Sequence, residues 1–154
     1  MSWCGPSALA TSARVDIVTA TNVTWEDAFQ FDPTGPTGCP VVTGQPSNWS
    51  LAGQNFRFSI KGNYGQTGPL LTIDSGPTGQ QVIVIQDANN RIISTLVPDT
   101  AISGAVTGVT GVTGQGLIPG QYFYDLVMYD GSTPPVKIGL MHGIFKVQSG
   151  VGVP

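Results

Sequence analysis

The stretch GQYFYDLVMYDGSTPPVKIGLMHGIFKV, Gly120 to Val147, sets two runs rich in aromatic and aliphatic side chains on either side of DGSTPP. Asp, Gly, Ser and Pro are the residues that close turns, so the spacing predicts a hairpin with strands over Gln121–Tyr129 and Val136–Val147. Successive strand residues point to opposite faces. Tyr122, Tyr124, Leu126 and Met128 therefore share one face, and Phe123, Asp125, Val127 and Tyr129 the other. Both faces are largely apolar, which predicts a strand that is central in its sheet or covered by a neighbouring protein. Asp125 is the one acid between Tyr122 and Tyr129. It reads either as a catalytic carboxylate or as a structural acid. In an apolar setting a carboxylate must be hydrogen-bonded or charge-paired. We expect a structural role, with Lys137 and Lys146 on the partner strand, or Arg57, as the nearest cations.

Outward from this hairpin the same grammar repeats. QNFRFSIKG (Gln54–Gly62) sets Phe56, Phe58 and Ile60 against Arg57, Ser59 and Lys61. TWEDAFQF (Thr24–Phe31) alternates with Trp25, Asp27, Phe29 and Phe31 on one face, and ARVDIVTAT (Ala13–Thr21) alternates imperfectly. LLTID (Leu70–Asp74) reads as a short strand. QVIVIQ (Gln81–Gln86) and RIISTL (Arg91–Leu96) flank DANN, whose Asp and Asn residues tolerate the positive φ of a tight turn. No segment shows sustained helical periodicity. Short strands punctuated by 21 glycines and 12 prolines predict an all-β sandwich or barrel. Its core is expected to be led by Phe29, Phe56, Phe58, Ile83, Ile85, Tyr124, Leu126 and Phe145. We divide the chain into an arm (1–12), one β-sandwich domain (13–149) and a short tail (150–154). Loop insertions fall at 32–48 and 98–118.

The second insertion contains SGAVTGVTGVTGQG (Ser103–Gly116), with Thr-Gly repeated at Thr107, Thr110 and Thr113. The period is that of collagen, but the run is short and lacks the prolines. Residues 100–124 carry no charge. Disordered loops usually carry charge or polar bulk. This loop is expected to lie along a neighbouring subunit, with Val106, Val109 and Val112, together with Trp3 of the arm, as partner contacts.

Composition agrees with a chain that works against other protein. Charged residues make up 10% of its 154 residues, against about 25% in an average soluble protein. Six basic residues and a net charge of −3 argue against nucleic acid. No run approaches the roughly 18 apolar residues that span a membrane. The opening MSWCGPSALATSA has neither the basic start nor the apolar centre of a secretory leader. Cys4 and Cys39 fit no metal spacing and are expected to be reduced.

Catalytic patterns are missing. His142 is the one histidine, so any triad or thiol–imidazole pair, Cys39 with His142 included, must use it. It falls inside a predicted strand on the face of Leu140 and Ile144, where a packed or edge histidine is the ordinary reading. No Gly-x-Ser-x-Gly elbow occurs. GQGLIPG (Gly114–Gly120) has the wrong glycine spacing for a dinucleotide loop and precedes a strand. Asp87, Asn89 and Asn90 offer oxygens, but calcium wants several carboxylates at close spacing. Trp3, Trp25, Trp49 and Tyr64 keep a glycan-binding module open as a lesser alternative. No cofactor or metal is expected, and the chain reads as a non-enzyme.

LIPGQYFYDLVMYDGSTPPVKIGLMHGIFKV resembles the closing hairpin of small β-sandwich domains in tailed bacteriophages. There a Gly-x-Tyr-x-Tyr-Asp-Leu strand is followed by a turn and a strand ending Gly-x-Phe-x-Val. The matching residues are Gly120, Tyr122, Tyr124, Asp125 and Leu126, then Gly143, Phe145 and Val147. TWEDAFQF and WSLAGQNFRFSIK are similar to the opening strands of those domains, although Ser50-Leu51-Ala52-Gly53 replaces an acidic start and Asn55-Phe56 an aromatic. Such domains resemble the N-terminal, virion-attaching domain of baseplate upper proteins and tail-fibre adaptors. The resemblance implies an antiparallel immunoglobulin-like β-sandwich with Tyr122, Tyr124, Asp125, Leu126 and Phe145 as structural residues. It implies a virion component, assembled in the host cytoplasm, whose partners are copies of itself in a ring or trimer and other virion proteins. With no fibre sequence before Pro154, a tail or baseplate adaptor is expected first and a capsid decoration protein second.

Overall fold

The computed structural model describes residues 13–31, 50–63, 65–76, 82–135 and 137–150. Ten strands and one short helix follow in chain order: β1 (Ala13–Arg14), β2 (Ile17–Ala20), β3 (Ala28–Gln30), β4 (Asn55–Lys61), β5 (Leu71–Asp74), β6 (Ile83–Asp87), β7 (Ile92–Thr95), α1 (Asp99–Ser103), β8 (Val112–Gly114), β9 (Gly120–Tyr129) and β10 (Lys137–Gln148). A seven-stranded sheet runs β1-β10-β9-β4-β5-β8, with β2 also beside β10; a three-stranded sheet runs β3-β7-β6. The protein is mostly β, and the two sheets pack together.

The strands that alternate most clearly in sequence build the middle of the large sheet. β4 shows strict alternation of half-buried and buried residues, with Phe56, Phe58 and Ile60 fully buried. β9 lies between β10 and β4 and pairs antiparallel with both, so the expectation of a central strand holds. Tyr124, Leu126 and Met128 point from it into the core.

Between the sheets an aromatic cluster forms. Trp25 meets Phe58 and Phe145 edge-on, each with ring centroids 5.2 Å apart. Tyr124 joins from β9, 5.8 Å from Phe58. Such pairs add about 0.5–1.5 kcal/mol to the area they bury. The Trp25 indole N–H donates to Asp27 Oδ2 at 2.6 Å, which leaves no polar atom unsatisfied in the cluster. Of the eight expected core leaders, Phe56, Phe58, Ile83, Tyr124, Leu126 and Phe145 are buried, and Phe29 and Ile85 pack half-buried at the margin of the small sheet.

Four expectations are corrected. The antiparallel rule fails at the N-terminal side, where β1 and β2 both run parallel to β10. A segment far from β10 in sequence has no hairpin to fix its direction. The predicted strand over 24–31 shrinks to β3 plus one bridge, Trp25 with Val97, because Asp27 donates its backbone N–H to the Thr95 side chain. The loop at 98–118 contains α1 and β8: Pro98 precedes the helix in extended backbone without a side-chain cap, Asp99 sits in its first turn, and Gly104 ends it in the left-handed region at φ 79°. In the β6–β7 turn, Asp87 accepts from the Asn89 and Asn90 amides, but the positive φ falls on Arg91 at 59° rather than on Asp or Asn. The arm 1–12, the loop 32–48, Trp3, Cys4, Cys39, Trp49 and Tyr64 lie outside the described residues.

Candidate functional site: the outer face of the large sheet

The small sheet packs on one face of the seven-stranded sheet, which leaves the other face as the candidate site. Register assembles that face strand by strand. Arg14 pairs with His142, His142 with Asp125, Asp125 with Ser59, Ser59 with Thr72, and Thr72 with Thr113. The result is one polar row across six strands. On one side of it stand Ile144, Phe123 and Lys61, and on the other Val127, Arg57 and Asp74.

Asp125 sits in the middle of this row, exposed. Its neighbours still shield it enough that burial raises its pKa above 3.8, opposed by Lys61 and by His142 across the strand pair. Exposure removes the need for a buried partner. The register also places His142 and Ser59 opposite it, while Lys137 and Lys146 oppose Tyr129 and Gln121. His142 shares its face with Ile144 but not with Leu140. A β-bulge between Gly139 and Met141 shifts the alternation and turns Leu140, 1% exposed, into the core.

Beside Asp125 lies a shallow depression of about 200 Å³ lined by Arg57, Ser59, Asp125, Val127, Tyr129 and Lys137. Its firmest part is a triad. Arg57 Nε donates to Asp74 Oδ2 at 2.7 Å, Tyr129 donates its hydroxyl to Asp74 Oδ1 at 2.6 Å, and the guanidinium lies 5.1 Å from the Tyr129 ring centre. The Asp74 hydrogen bond raises the Arg57 pKa, and burial together with Asp74 pushes the Tyr129 phenol up to about 12.

At the sheet's far edge the chain gathers the three valines read as partner contacts. Val106, Val109 and Val112 line one depression between α1, the loop after it and β8. Val106 is 49% exposed, whereas Val109 and Val112 also pack on the core. Ile118, which the sequence reading did not single out, is the most exposed large apolar side chain among the described residues, at 75%. Its place after the neutral Val-Thr-Gly run was the available signal.

The remaining predicted residues are structural by position. Tyr124 donates its hydroxyl to the Val15 carbonyl and ties β9 to the β1–β2 link; Tyr122 donates to the Ile118 carbonyl at 2.7 Å. Leu126 and Phe145 are fully buried. Among the described residues no group of three His, Cys, Asp or Glu could hold a metal ion. No protein-family model matches the chain, and no curated protein matches it.

Proposed function

We propose that this chain is a non-enzymatic structural protein of a bacteriophage virion, a tail or baseplate adaptor built on an immunoglobulin-like sandwich that docks onto neighbouring virion proteins. The observation that carries this reading is the uncharged stretch 100–124, which gathers Val106, Val109 and Val112 at one depression and leaves Ile118 on the surface. An apolar patch rimmed by polar groups marks a protein-binding surface more often than a reaction site. The resemblance of Gly120–Val147 to virion-attachment domains supplies the setting, and the hairpin it covers is the β9–β10 pair at the middle of the large sheet. Asp125, exposed, and His142, half-buried, stand side by side on the outer face of the large sheet.

Labelling purified virions with an antibody raised against this chain tests the reading. Signal on the tail or baseplate supports it. Signal on the capsid faces makes the chain a decoration protein, and virions without signal overturn a virion role.

A further inference from the structure

The formal net charge of −3 conceals a division between two sides of the fold. Five of the six basic residues, Arg14, Arg57, Lys61, Lys137 and Lys146, project from the outer face of the seven-stranded sheet. Three carboxylates accompany them. Asp16 pairs with Arg14 at 3.5 Å, Asp74 with Arg57 at 2.7 Å, and Asp125 faces Lys61 and His142. The sixth basic residue, Arg91, is buried on the small-sheet side, donating to the Phe31 and Asn89 carbonyls. That side carries Glu26 and Asp27 before β3, Asp87 at the end of β6 and Asp99 at the start of α1. Among the described residues, five cations against Asp16, Asp74, Asp125 and, at the start of the β9–β10 turn, Asp130 leave the outer side weakly positive, while Arg91 against Glu26, Asp27, Asp87 and Asp99 leaves the small-sheet side negative.

We propose that the outer face of the large sheet docks head to tail onto the acidic small-sheet side of a second copy of this chain. Two copies meeting basic face to basic face would set like charges together, so an isologous dimer is disfavoured. The heterologous contact pairs opposite signs and repeats from copy to copy, closing into a ring or extending into a filament. The face spans six strands, roughly 25 Å at the usual strand spacing, which suits a standard interface of about 800 Å² per partner. Half-buried Phe123, Val127 and Ile144 give it apolar surface to bury between the charges. The proposal rests on the docking reading only in taking this chain to work within an assembly. Virion labelling tests that reading without reference to self-contact.

Sedimentation velocity of the purified chain across a salt series, with two charge-reversed variants, tests it. One variant carries Lys61→Glu, Lys137→Glu and Lys146→Glu; the other carries Glu26→Lys and Asp99→Lys. Lys137, Lys146 and Glu26 are exposed and Lys61 and Asp99 half-buried, and circular dichroism checks that each variant folds. The wild type is expected to associate at low salt and to dissociate as salt rises. Each variant alone is expected to stay monomeric, while an equimolar mixture associates again, since each reversed surface then meets its complement. A wild type that remains monomeric at every concentration overturns the proposal, as does a mixture of folded variants that fails to associate. Retention of a monomeric wild type on heparin would assign the face to a polyanion instead and overturn it equally.

Discussion

Arg57 Nη2 lies 2.7 Å from Asp74 Oδ2, and the same carboxylate holds Tyr129 through its other oxygen. Three neighbouring strands, β4, β5 and β9, are tied by this one side chain on the solvent face. Asp74 also accepts from the Gly76 amide at 2.8 Å, which starts the turn after β5. Asp74→Ala strips these donors of their acceptor at a position only partly open to water. We expect a loss of about 1–3 kcal/mol, read as a lower denaturant midpoint with an unchanged slope. An unaltered midpoint would mean that water replaces the carboxylate fully.

Tyr129 makes the same group sensitive to alkali. Its phenol is pushed from 10.0 up to about 12, so between those pH values the folded chain holds a proton that the unfolded chain has released. Stability rises with pH only where the unfolded state binds more protons; here the folded state does, and stability falls as pH climbs through this window. Burial raises Tyr124 as well and adds to the loss. Denaturant midpoints measured from pH 9 upward should decline, and Tyr129→Phe should remove part of that decline. An identical slope in the variant would show that Tyr129 is not a contributor.

Phe58 is fully buried and touches rings from both layers, with Trp25 at 5.2 Å, Tyr124 at 5.8 Å and Phe29 at 6.2 Å between centroids. Truncation to Ala leaves a cavity that several rigid rings cannot fill, at a cost of about 3–5 kcal/mol. Phe29 sits half-buried at the margin, so Phe29→Ala should cost clearly less. Equal losses in thermal or chemical unfolding would contradict the two-layer account of the core.

The particular residues show how far the sequence could be read. Phe56, Phe58 and Ile60 alternate cleanly because one face of β4 meets the small sheet and the other meets water, and period alone placed them. The β9–β10 hairpin was legible for the same reason. The direction of β1 and β2 was not, because parallel pairing with β10 is fixed by contacts more than 120 residues apart in sequence, such as the Asp16 carboxylate accepting from the Ile144 amide. Nor was the bulge at Gly139–Met141, which inverts the face of Leu140 without disturbing the local pattern. The helix at Asp99–Ser103 is too short for periodicity to reveal, although Pro98, Asp99 and Gly104 mark its ends. On the outer face, alternation placed Asp125 opposite to Tyr124 and Leu126, but its neighbours depend on register, and register across three strands is a tertiary property.

Gly143 is the residue that lets the N-terminal strands approach. At φ 157°, a Cβ there would stand 2.4 Å from the Val15 carbonyl oxygen and 2.8 Å from Asp16 Oδ1. Backbone cannot yield by that much without breaking the Val15 amide bond to the His142 carbonyl, 2.9 Å long, and the Tyr124 hydroxyl bond to Val15. Gly143→Ala should therefore destabilise the fold by about 2–3 kcal/mol. Hydrogen exchange should locate the damage, with protection lost first at Val15 and along β2. Wild-type protection at those amides would refute the close-approach argument.

Asp125 gives the sharpest contrast between the two readings of the outer face. Its folded pKa is raised because burial by its neighbours outweighs the attraction of Lys61 and His142. A carboxyl whose folded pKa lies above the unfolded one binds its proton more tightly when folded. Ionisation therefore works against folding, and stability falls as pH rises through the unfolded and then the folded pKa. At neutral pH Asp125→Asn should leave the unfolding midpoint unchanged or slightly higher. Below the unfolded value of 3.8, where both states are protonated, that advantage should vanish. A variant that unfolds more easily at neutral pH would mean that the ionised carboxylate is held by a favourable contact in the fold, and Asp125 would then be a structural acid after all. If stability is retained, the effect of the substitution on self-association or on incorporation into particles reports on the surface alone.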